Sequence, residues 1–265
     1  MKNNIIMTFI VLVIFSSCSE MIVRRDNDEN WLIAGGESIA LHYRPPGFSD
    51  SASPSLEQAE EIANNQLVYY HAIQDSIGAG FSDKVMIYLY NYDEAKAKIG
   101  TNGGGHALPK YNCYYYTFID SNKSITDQFG IEDPYIGAHE LVHVISHRTL
   151  GYPGTKLLSE GYAVWLDGTY ARYHIDEIMI HYRDDAPEKI LTPDQLLDEA
   201  YDHPAAIYYP NCGIFTRYLV DTYEVGFINT LFTVNEENFI PRFEELCGDS
   251  WDSLSVAYSL YLDNL

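Results

Sequence analysis

The sequence predicts an α+β fold in which a small mixed sheet with helices is followed by a helical lobe. Two observations predict this order. Runs rich in β-branched and aromatic residues, such as Lys84–Tyr90 and Tyr111–Ile119, occur in the first half of the chain. From about residue 133 onward, apolar residues recur at helical spacing between short polar joints. Strands followed by a run of helices are typical of α+β domains.

The first half alternates strands and helices between turn residues. Ser53 is predicted as an N-cap with Pro54 in the first helical turn, because serine accepts hydrogen bonds at helix starts and proline fits there. The tyrosines of the last strand are interpreted as sheet packing. The predicted elements are, in order, a strand at Ser38–Tyr43, a helix from Ser53 that Gly78–Gly80 ends, a central strand at Lys84–Tyr90, a short helix at Asp93–Ile99, a glycine-rich turn at Gly100–Gly105 and an aromatic strand at Tyr111–Ile119.

The second half is predicted to be helical. Asp133-Pro134 is predicted to cap the first of these helices, which runs to about His147. The later predicted helices cover 157–167, a short segment from Thr192-Pro193, 208–223, 225–234, 241–246 and 250–262.

The charge of the chain excludes some classes of ligand. It carries 38 acidic against 16 basic residues, a formal net charge of −22. A field of this sign repels nucleic acids and anionic lipid head groups, so neither is an expected partner. An exported protein with a well-solvated acidic surface fits this composition. The sequence leaves the oligomeric state open.

The N-terminus has the features of a secretory signal. Lys2 precedes an apolar run over Ile5–Phe15, which is too short to span a bilayer as a helix, and Ser16-Ser17-Cys18 follows. This end resembles the lipobox of bacterial lipoproteins, in which the signal is cut before a cysteine that becomes diacylated. A plain signal peptide with an incidental cysteine is the alternative.

The lipobox resemblance implies an exported lipoprotein of the cell envelope, on the outer membrane or the surface, whose membrane partner is its own lipid anchor at Cys18. The implied organisation is a lipoprotein signal peptide over 1–17, a flexible tether over 18–30 and one folded domain over 31–265.

Three cysteines follow Cys18, and an exported location permits disulfides between them. Cys212–Cys247 is the favoured pair, because both residues lie in the helical part, which leaves Cys113 unpaired. None of them has the Cys-x-x-Cys spacing of a thiolate zinc site.

The most informative motif is HELVH at 139–143, an HExxH pattern inside a predicted helix. Side chains four residues apart lie on one helical face, so the imidazoles of His139 and His143 can reach one metal ion. Glu140 is placed to touch a water at that ion. A catalytic zinc site has three protein ligands and one open position, so a third ligand is needed.

Two known arrangements supply the third ligand differently. Metzincins place a glycine and then a histidine shortly after the motif, where this chain has Ser146 and Thr149. Gluzincins place a glutamate on the next helix, and Glu160 stands there, sixteen residues after His143. That spacing is enough for a loop and a returning helix. Because Gly161 and Ala163 are small, the two motif helices are predicted to approach each other closely.

With this pair of motifs the chain resembles the gluzincin superfamily of zinc peptidases, which includes thermolysin and the aminopeptidase-N-like enzymes. Within it, the chain is most similar to the minimal peptidase-MA-like domains. The resemblance implies a zincin-like fold with an active-site cleft between the sheet and the helical lobe. It also implies Zn²⁺ held by His139, His143 and Glu160, and a peptide or protein as substrate.

The resemblance also implies roles for residues beside the metal. Glu140 is expected to act as general base toward the attacking water. Family enzymes often place an oxyanion donor on the helical lobe, and Tyr209 is the expected donor, with Tyr208 and His203 as alternatives. The aminopeptidase-N-like GxMxN segment is absent, so an endopeptidase is expected rather than an enzyme that reads a free N-terminus.

Other residues near the motifs have competing interpretations. Three histidines on one straight helix span about 12 Å, so His147 is interpreted as a surface or supporting histidine and not as a ligand. Asp167 either orients a ligand imidazole or is a solvated helix-end carboxylate. The segment Gly103–Lys110 is a candidate for the cleft wall. The alternative function is a catalytically silent lipoprotein that binds peptides or glycans, with zinc in a structural role.

Overall fold

The computed structural model describes residues 30–48, 52–99, 104–118, 129–133 and 135–265. Of these described residues, helices account for 58% and strands for 13%. These shares confirm the α+β prediction. The predicted signal peptide, Cys18 and most of the predicted tether lie outside the described residues. Within the described ranges, none of the helices combines the length and the apolarity needed to cross a bilayer.

The described elements are strands and helices in the following order. The strands are β1 (Leu32–Gly35), β2 (Ile39–Tyr43), β3 (Val85–Tyr90), β4 (Gly105–Leu108), β5 (Cys113–Thr117), β6 (Thr169–Tyr170) and β7 (Tyr173–His174). The helices are α1 (Leu56–Ile77), α2 (Tyr92–Ile99), α3 (His139–Thr149), α4 (Lys156–Asp167), α5 (Ile175–Asp185), α6 (Pro193–Asp198), α7 (Ala205–Leu231), α8 (Glu236–Cys247) and α9 (Trp251–Asp263).

Five strands form a mixed sheet in the order β1-β2-β3-β5-β4. The three inner strands are parallel, with Leu41 opposite Ile87 and Ile87 opposite Tyr114. The edge strands β1 and β4 run antiparallel to their neighbours. The prediction that Lys84–Tyr90 forms a central strand is therefore confirmed, whereas β1 and β4 were not predicted because each has only four residues.

Both faces of the sheet are packed, as the alternation of β3 shows. Ile87 and Leu89 belong to the main hydrophobic core, which continues through α1, α3 and the helical lobe. Tyr88 and Tyr90 turn to the opposite face, where they pack with Tyr115 in a second cluster. The interpretation of the tyrosines of the aromatic strand as sheet packing is therefore confirmed for Tyr115.

Helix α1 begins two residues later than predicted. Its N-cap is Ser55 and not Ser53, because the Ser55 side chain accepts from the Gln58 N–H while the Gln58 side chain accepts from the Ser55 N–H. This reciprocal capping box satisfies two donors at once, which a cap at Ser53 could not match. The predicted end is confirmed, since Gly78 adopts the left-handed conformation of a helix C-cap.

The helix that carries HExxH begins at His139, five residues after the predicted start. Asp133 does accept backbone N–H groups, from Tyr135 and Ile136. Gly137 then adopts a left-handed conformation with φ +64°, so the helix begins only after this residue. The prediction of a helix from 134 is therefore wrong at its start, and the helix continues to Thr149.

The helical lobe follows the predicted order with two differences. The break expected near residue 224 is confirmed, since Glu224 has φ +67° and kinks α7. Helix α8 begins at Glu236, with Asn235 as N-cap, and contains Pro241, so the predicted start at Pro241 is wrong. Helix α5 was not predicted.

The favoured disulfide is not formed. Cys212 is buried and Cys247 is half-buried, and each carries a free thiol. The backbone of Cys212 lies at the α4–α7 contact, since its carbonyl oxygen would lie 3.1 Å from a Cβ at Gly161. Cys247 ends α8, where its Sγ accepts from the Asp249 N–H. Their places in different contacts explain why the prediction from helical location alone is wrong.

Two glycines set the spacing between α4 and α7. A Cβ at Gly161 of α4 would lie 2.1 Å from Thr216 Oγ1, and a Cβ at Gly213 of α7 would lie 2.5 Å from Val164 Cγ1. Gly161 therefore permits a close approach to α7, not the predicted approach to the HExxH helix. This contact fixes how α7 lies against the helix that carries Glu160.

We expect Gly161→Ala to lower the free energy of unfolding by about 1–3 kcal/mol, because the new methyl overlaps Thr216. Urea denaturation followed by circular dichroism measures this change. Gly226→Ala is the matched control, since an exposed Cβ there meets nothing within 4 Å. It should leave stability unchanged or raise it by up to about 1 kcal/mol. Equal stability of both variants would contradict the packing argument.

Candidate metal centre

Helices α3 and α4 bring three predicted ligands together. His139 and His143 lie one turn apart on α3, with ring centroids 4.9 Å apart. Their Nε2 atoms lie 3.4 and 3.5 Å from Oε2 of Glu160 on α4. One ligand atom from each of the three residues lies within 4.8 Å of the others. This group could hold a metal ion.

The start of α3 is held by residues that are distant in sequence. Ala138, its N-cap, has no side chain that could accept the free N–H groups. Instead Asp167, the last residue of α4, accepts from the Ala138 N–H at 2.6 Å. Gln66 of α1 donates to the Gly137 carbonyl oxygen and accepts from the Tyr114 hydroxyl, each at 2.6 Å. The first ligand is thereby fixed against three other elements.

Asp167 caps the ligand helix, a contact that was not predicted. Its Oδ1 accepts from Ala138 and its Oδ2 accepts from the Thr169 hydroxyl. It is buried, so it is not a solvated helix-end carboxylate. A Cβ at Gly137 would lie 2.8 Å from the same Oδ1, so the capping contact also requires glycine at position 137.

The ligand group opens into a cleft of about 530 Å³. One wall is the sheet edge β4, including Gly105, His106 and Ala107. The prediction that Gly103–Lys110 contributes to the wall is confirmed for these residues, while Gly103 lies outside the described part. The hairpin β6–β7 and Tyr209 of α7 also line the cleft.

Glu140 follows the first ligand and lines the cleft. Its Cγ would lie 2.6 Å from a Cβ at Gly105, and Tyr116 would lie 2.4 Å from it. Strand β4 can pass this close to the HExxH helix because position 105 has no side chain. The Glu140 carboxyl is thus held between the ligand helix and the sheet edge.

Of the three candidate oxyanion donors, Tyr209 lies in the cleft. Its ring stacks on His139 at 6.0 Å between centroids and meets Tyr170 edge-on at 5.7 Å. Tyr208 is buried and its hydroxyl donates to the Leu196 carbonyl oxygen. His203 contacts Glu199 at 3.1 Å and is not among the described cleft-lining residues. The structure therefore does not bring these two alternatives to the ligand group.

His147 lies against the ligands without joining them. Its ring is 5.6 Å from that of His143 between centroids, and its Nε2 is 3.4 Å from Ser159 Oγ. It lines the cleft and is half-buried, so it supports the ligand helix rather than lying on the open surface. Burial and the neighbouring His143 lower its pKa to about 4.

Charge and burial act in opposite directions within the ligand group. Burial alone would lower the pKa of His139, but Glu160, then Glu140 and Asp167, raise it to about 9. Burial would raise the pKa of Glu160, but the two imidazoles hold it well below its usual range. Burial raises the pKa of Tyr209, and Glu160 and Glu140 raise it further, so its hydroxyl stays protonated at neutral pH.

Sequence reasoning missed two charged residues of the cleft, Asp133 and Arg172. Arg172 stands in the two-residue turn of the β6–β7 hairpin, where it and Ala171 both have positive φ. Such turns normally carry glycine or asparagine, so no turn signal marks this hairpin. Arg172 donates to the carbonyl oxygens of Asp133 and Tyr135, which ties the hairpin to the loop before α3.

Comparison with known proteins adds no family to this description. No protein-family model matches the chain, and no curated protein matches it. The chemistry of the site is therefore inferred from its residues.

We expect the metal-free protein to lose stability as the pH rises from 6.5 to 9. The pKa of His139 is raised to about 9 in the folded protein, so its stabilising contribution is complete below 6.5 and is lost as the pH passes 9. A shift of this size corresponds to about 3 kcal/mol. Urea titrations at several pH values measure it. His139→Asn should lack this loss, and an equal loss in both proteins would contradict the assignment.

Proposed function

We propose that this protein is a zinc-dependent peptidase of the gluzincin type, an endopeptidase anchored to a membrane through a lipid on Cys18. The observation that carries the proposal is the convergence of His139, His143 and Glu160. The anchor rests on the sequence alone, because Cys18 lies outside the described residues.

The three ligand residues fit zinc. Two imidazole nitrogens and one carboxylate oxygen are donors that Zn²⁺ accepts, and three protein ligands are the usual number at a catalytic zinc site. Glu160 Oε2 lies near both Nε2 atoms, so one ion can satisfy all three. When bound, zinc would supply Lewis acidity toward a substrate carbonyl and lower the pKa of a coordinated water.

Glu140 is the residue that would move the proton. It adjoins His139 in sequence and lines the same cleft, held against Gly105. As general base it would take a proton from the attacking water and deliver it to the nitrogen of the leaving amine. Its carboxylate is not one of the three ligands, which leaves it available for this transfer.

Tyr209 is the candidate donor to the developing oxyanion. Its ring lies beside His139, and its raised pKa keeps a proton on the hydroxyl. A neutral hydroxyl that is already in position can donate a hydrogen bond as negative charge develops on the carbonyl oxygen.

The shape of the cleft supports an extended peptide as substrate. Strand β4 is the last strand on its side of the described sheet and lines the cleft next to Glu140. The outward backbone groups of an edge strand can pair with an added strand, which gives affinity without selecting a side chain. A peptide paired there would run past the ligand group with chain on both sides, as an endopeptidase requires.

We expect Glu140→Gln to reduce peptide cleavage at least about 100-fold while one zinc ion per chain is retained. A peptide library digested by the zinc-loaded full chain, with metal content measured in parallel, tests this. Equal cleavage by both proteins, or a folded wild type without zinc, would contradict the proposal. Equal inactivity with zinc bound and the fold intact would favour the silent lipoprotein that binds peptides or glycans.

We expect Tyr209→Phe to lower kcat about 100- to 1,000-fold with little change in KM, because the hydroxyl acts on the oxyanion and not on the substrate ground state. Steady-state kinetics on the best library peptide measures this. Tyr208→Phe is the control, since the Tyr208 hydroxyl donates to Leu196 and not into the cleft. That variant should lose about 1 kcal/mol of stability and keep its kcat. Unchanged kcat in Tyr209→Phe would remove Tyr209 from the mechanism.

A further inference from the structure

Lys156 begins α4, about one helical turn before the ligand Glu160. Its ammonium donates to the Ala200 carbonyl oxygen at 3.0 Å, in the segment between α6 and α7. Side chains four residues apart on a helix can form an ion pair, yet Lys156 has no salt bridge to Glu160 or to another carboxylate of the described residues. The ligand carboxylate is thereby left to the two imidazoles, and the ammonium charge is not neutralised by an anion.

Three tyrosine rings lie close to this ammonium. Its Nζ atom is 4.5 Å from the ring centroid of Tyr201, 4.9 Å from that of Tyr208 and 5.8 Å from that of Tyr209. A cation within about 6 Å of an aromatic face is attracted by the electrons of the ring, and more strongly where water is excluded. Tyr208 is fully buried, so one side of the ammonium is shielded from solvent.

Tyr209 is the ring of this group that lines the cleft. Within the part of the chain that the structure describes, its hydroxyl has no hydrogen-bond partner. The direction of that hydroxyl is therefore set by the contacts of the ring, which are the stack on His139, the edge contacts with Tyr170 and Tyr208, and the Lys156 ammonium.

We propose that Lys156 is a positioning residue for Tyr209. The ammonium is held by the Ala200 carbonyl oxygen and by the buried Tyr208 ring, and it attracts the Tyr209 ring from there. The Tyr209 hydroxyl is then in place before negative charge develops on the substrate, and such preorganised donors lower the barrier most. This inference rests on the proposed function, because it assigns a support to the candidate oxyanion donor.

The contact also connects two helices that carry different parts of the site. Lys156 and Glu160 belong to α4, whereas Tyr209 belongs to α7. A cation on the ligand helix that holds the donor ring keeps the donor in register with the metal ligands.

The first test is Lys156→Met, which keeps an unbranched side chain and removes the charge. On the zinc-loaded full chain it should lower kcat about 3- to 30-fold with little change in KM, the loss expected for a partly shielded cation–π contact. Lys156→Arg should restore most of the rate, because a guanidinium also stacks on aromatic rings.

Lys189→Met is the matched control. Lys189 Nζ lies 5.3 Å from the ring centroid of Tyr182, whose hydroxyl donates to the Ala206 carbonyl oxygen and which is not among the described cleft-lining residues. The same substitution thus removes the same kind of contact away from the cleft, and kcat should be kept. An equal loss of kcat in both methionine variants would overturn the inference.

A double-mutant cycle separates positioning from a purely structural role. In the Tyr209→Phe background, Lys156→Met should cause no further loss of kcat, because the hydroxyl that it positions is already absent. The same fold-loss in both backgrounds would show that Lys156 acts through another group, such as the segment at Ala200, and would overturn the inference. Thermal unfolding of each variant checks that the fold is kept.

Binding distinguishes this inference from the proposed function. A phosphinic peptide, whose tetrahedral anion mimics the oxyanion, is titrated calorimetrically into the zinc-loaded Glu140→Gln chain. Adding Lys156→Met should weaken its binding about 3- to 30-fold, but not when Tyr209→Phe is also present, and this result supports the inference even if the wild type cleaves nothing.

Cleavage and phosphinate binding that Lys156→Met leaves unchanged would overturn the inference and leave the peptidase proposal intact. The absence of both cleavage and phosphinate binding in the zinc-loaded wild type would overturn the two together.

Discussion

A buried hydrogen bond from the Ala138 N–H to Asp167 Oδ1 joins the two ligand helices. Ala138 precedes His139 directly, and Asp167 follows Glu160 by about two helical turns. The bond therefore fixes the start of one helix against the end of the other, and with them the positions of the ligands. It also places a negative charge at a helix N-terminus, where the helix dipole is stabilised by an anion. Glycine at 137 is the condition for this contact, since a Cβ there would meet the same oxygen.

Helix α4 is a shared element, because it contacts α3 on one side and α7 on the other. Its contact with α7 is close owing to Gly161 and Gly213, each of which receives a side chain of the opposite helix. Tyr209 stands about one turn before Gly213 on α7. The same close approach that packs the lobe therefore brings the Tyr209 ring beside His139. Packing of the core and assembly of the cleft are one set of contacts in this protein.

The ligand residues could be predicted from sequence because their geometry is local. Helical periodicity places His139 and His143 on one face, and the length of the following loop allows Glu160 to return to them. The start of α3 could not be predicted, because its cap is supplied by Asp167, 29 residues later. The edge strand β4 and the β6–β7 hairpin were missed because they are short and the hairpin turn lacks glycine. Residues of these two elements line the cleft. The surroundings of Asp133 and Arg172 could therefore not be predicted without them.

Glu160 and Asp133 are two carboxylates of one cleft whose charges are matched in different ways. Glu160 faces two imidazoles, and in the metal-free protein the proton that His139 holds balances its charge. A divalent cation would displace that proton, because histidine ligates a metal as the neutral imidazole. Burial raises the pKa of Asp133, and the Tyr135 and Ile136 N–H groups, the Arg172 guanidinium and the Asn65 side chain offset this in part. Both carboxylates are thus compensated from within the fold, Glu160 by the imidazoles of its own site and Asp133 by donors from the loop before α3, from α1 and from the β6–β7 hairpin.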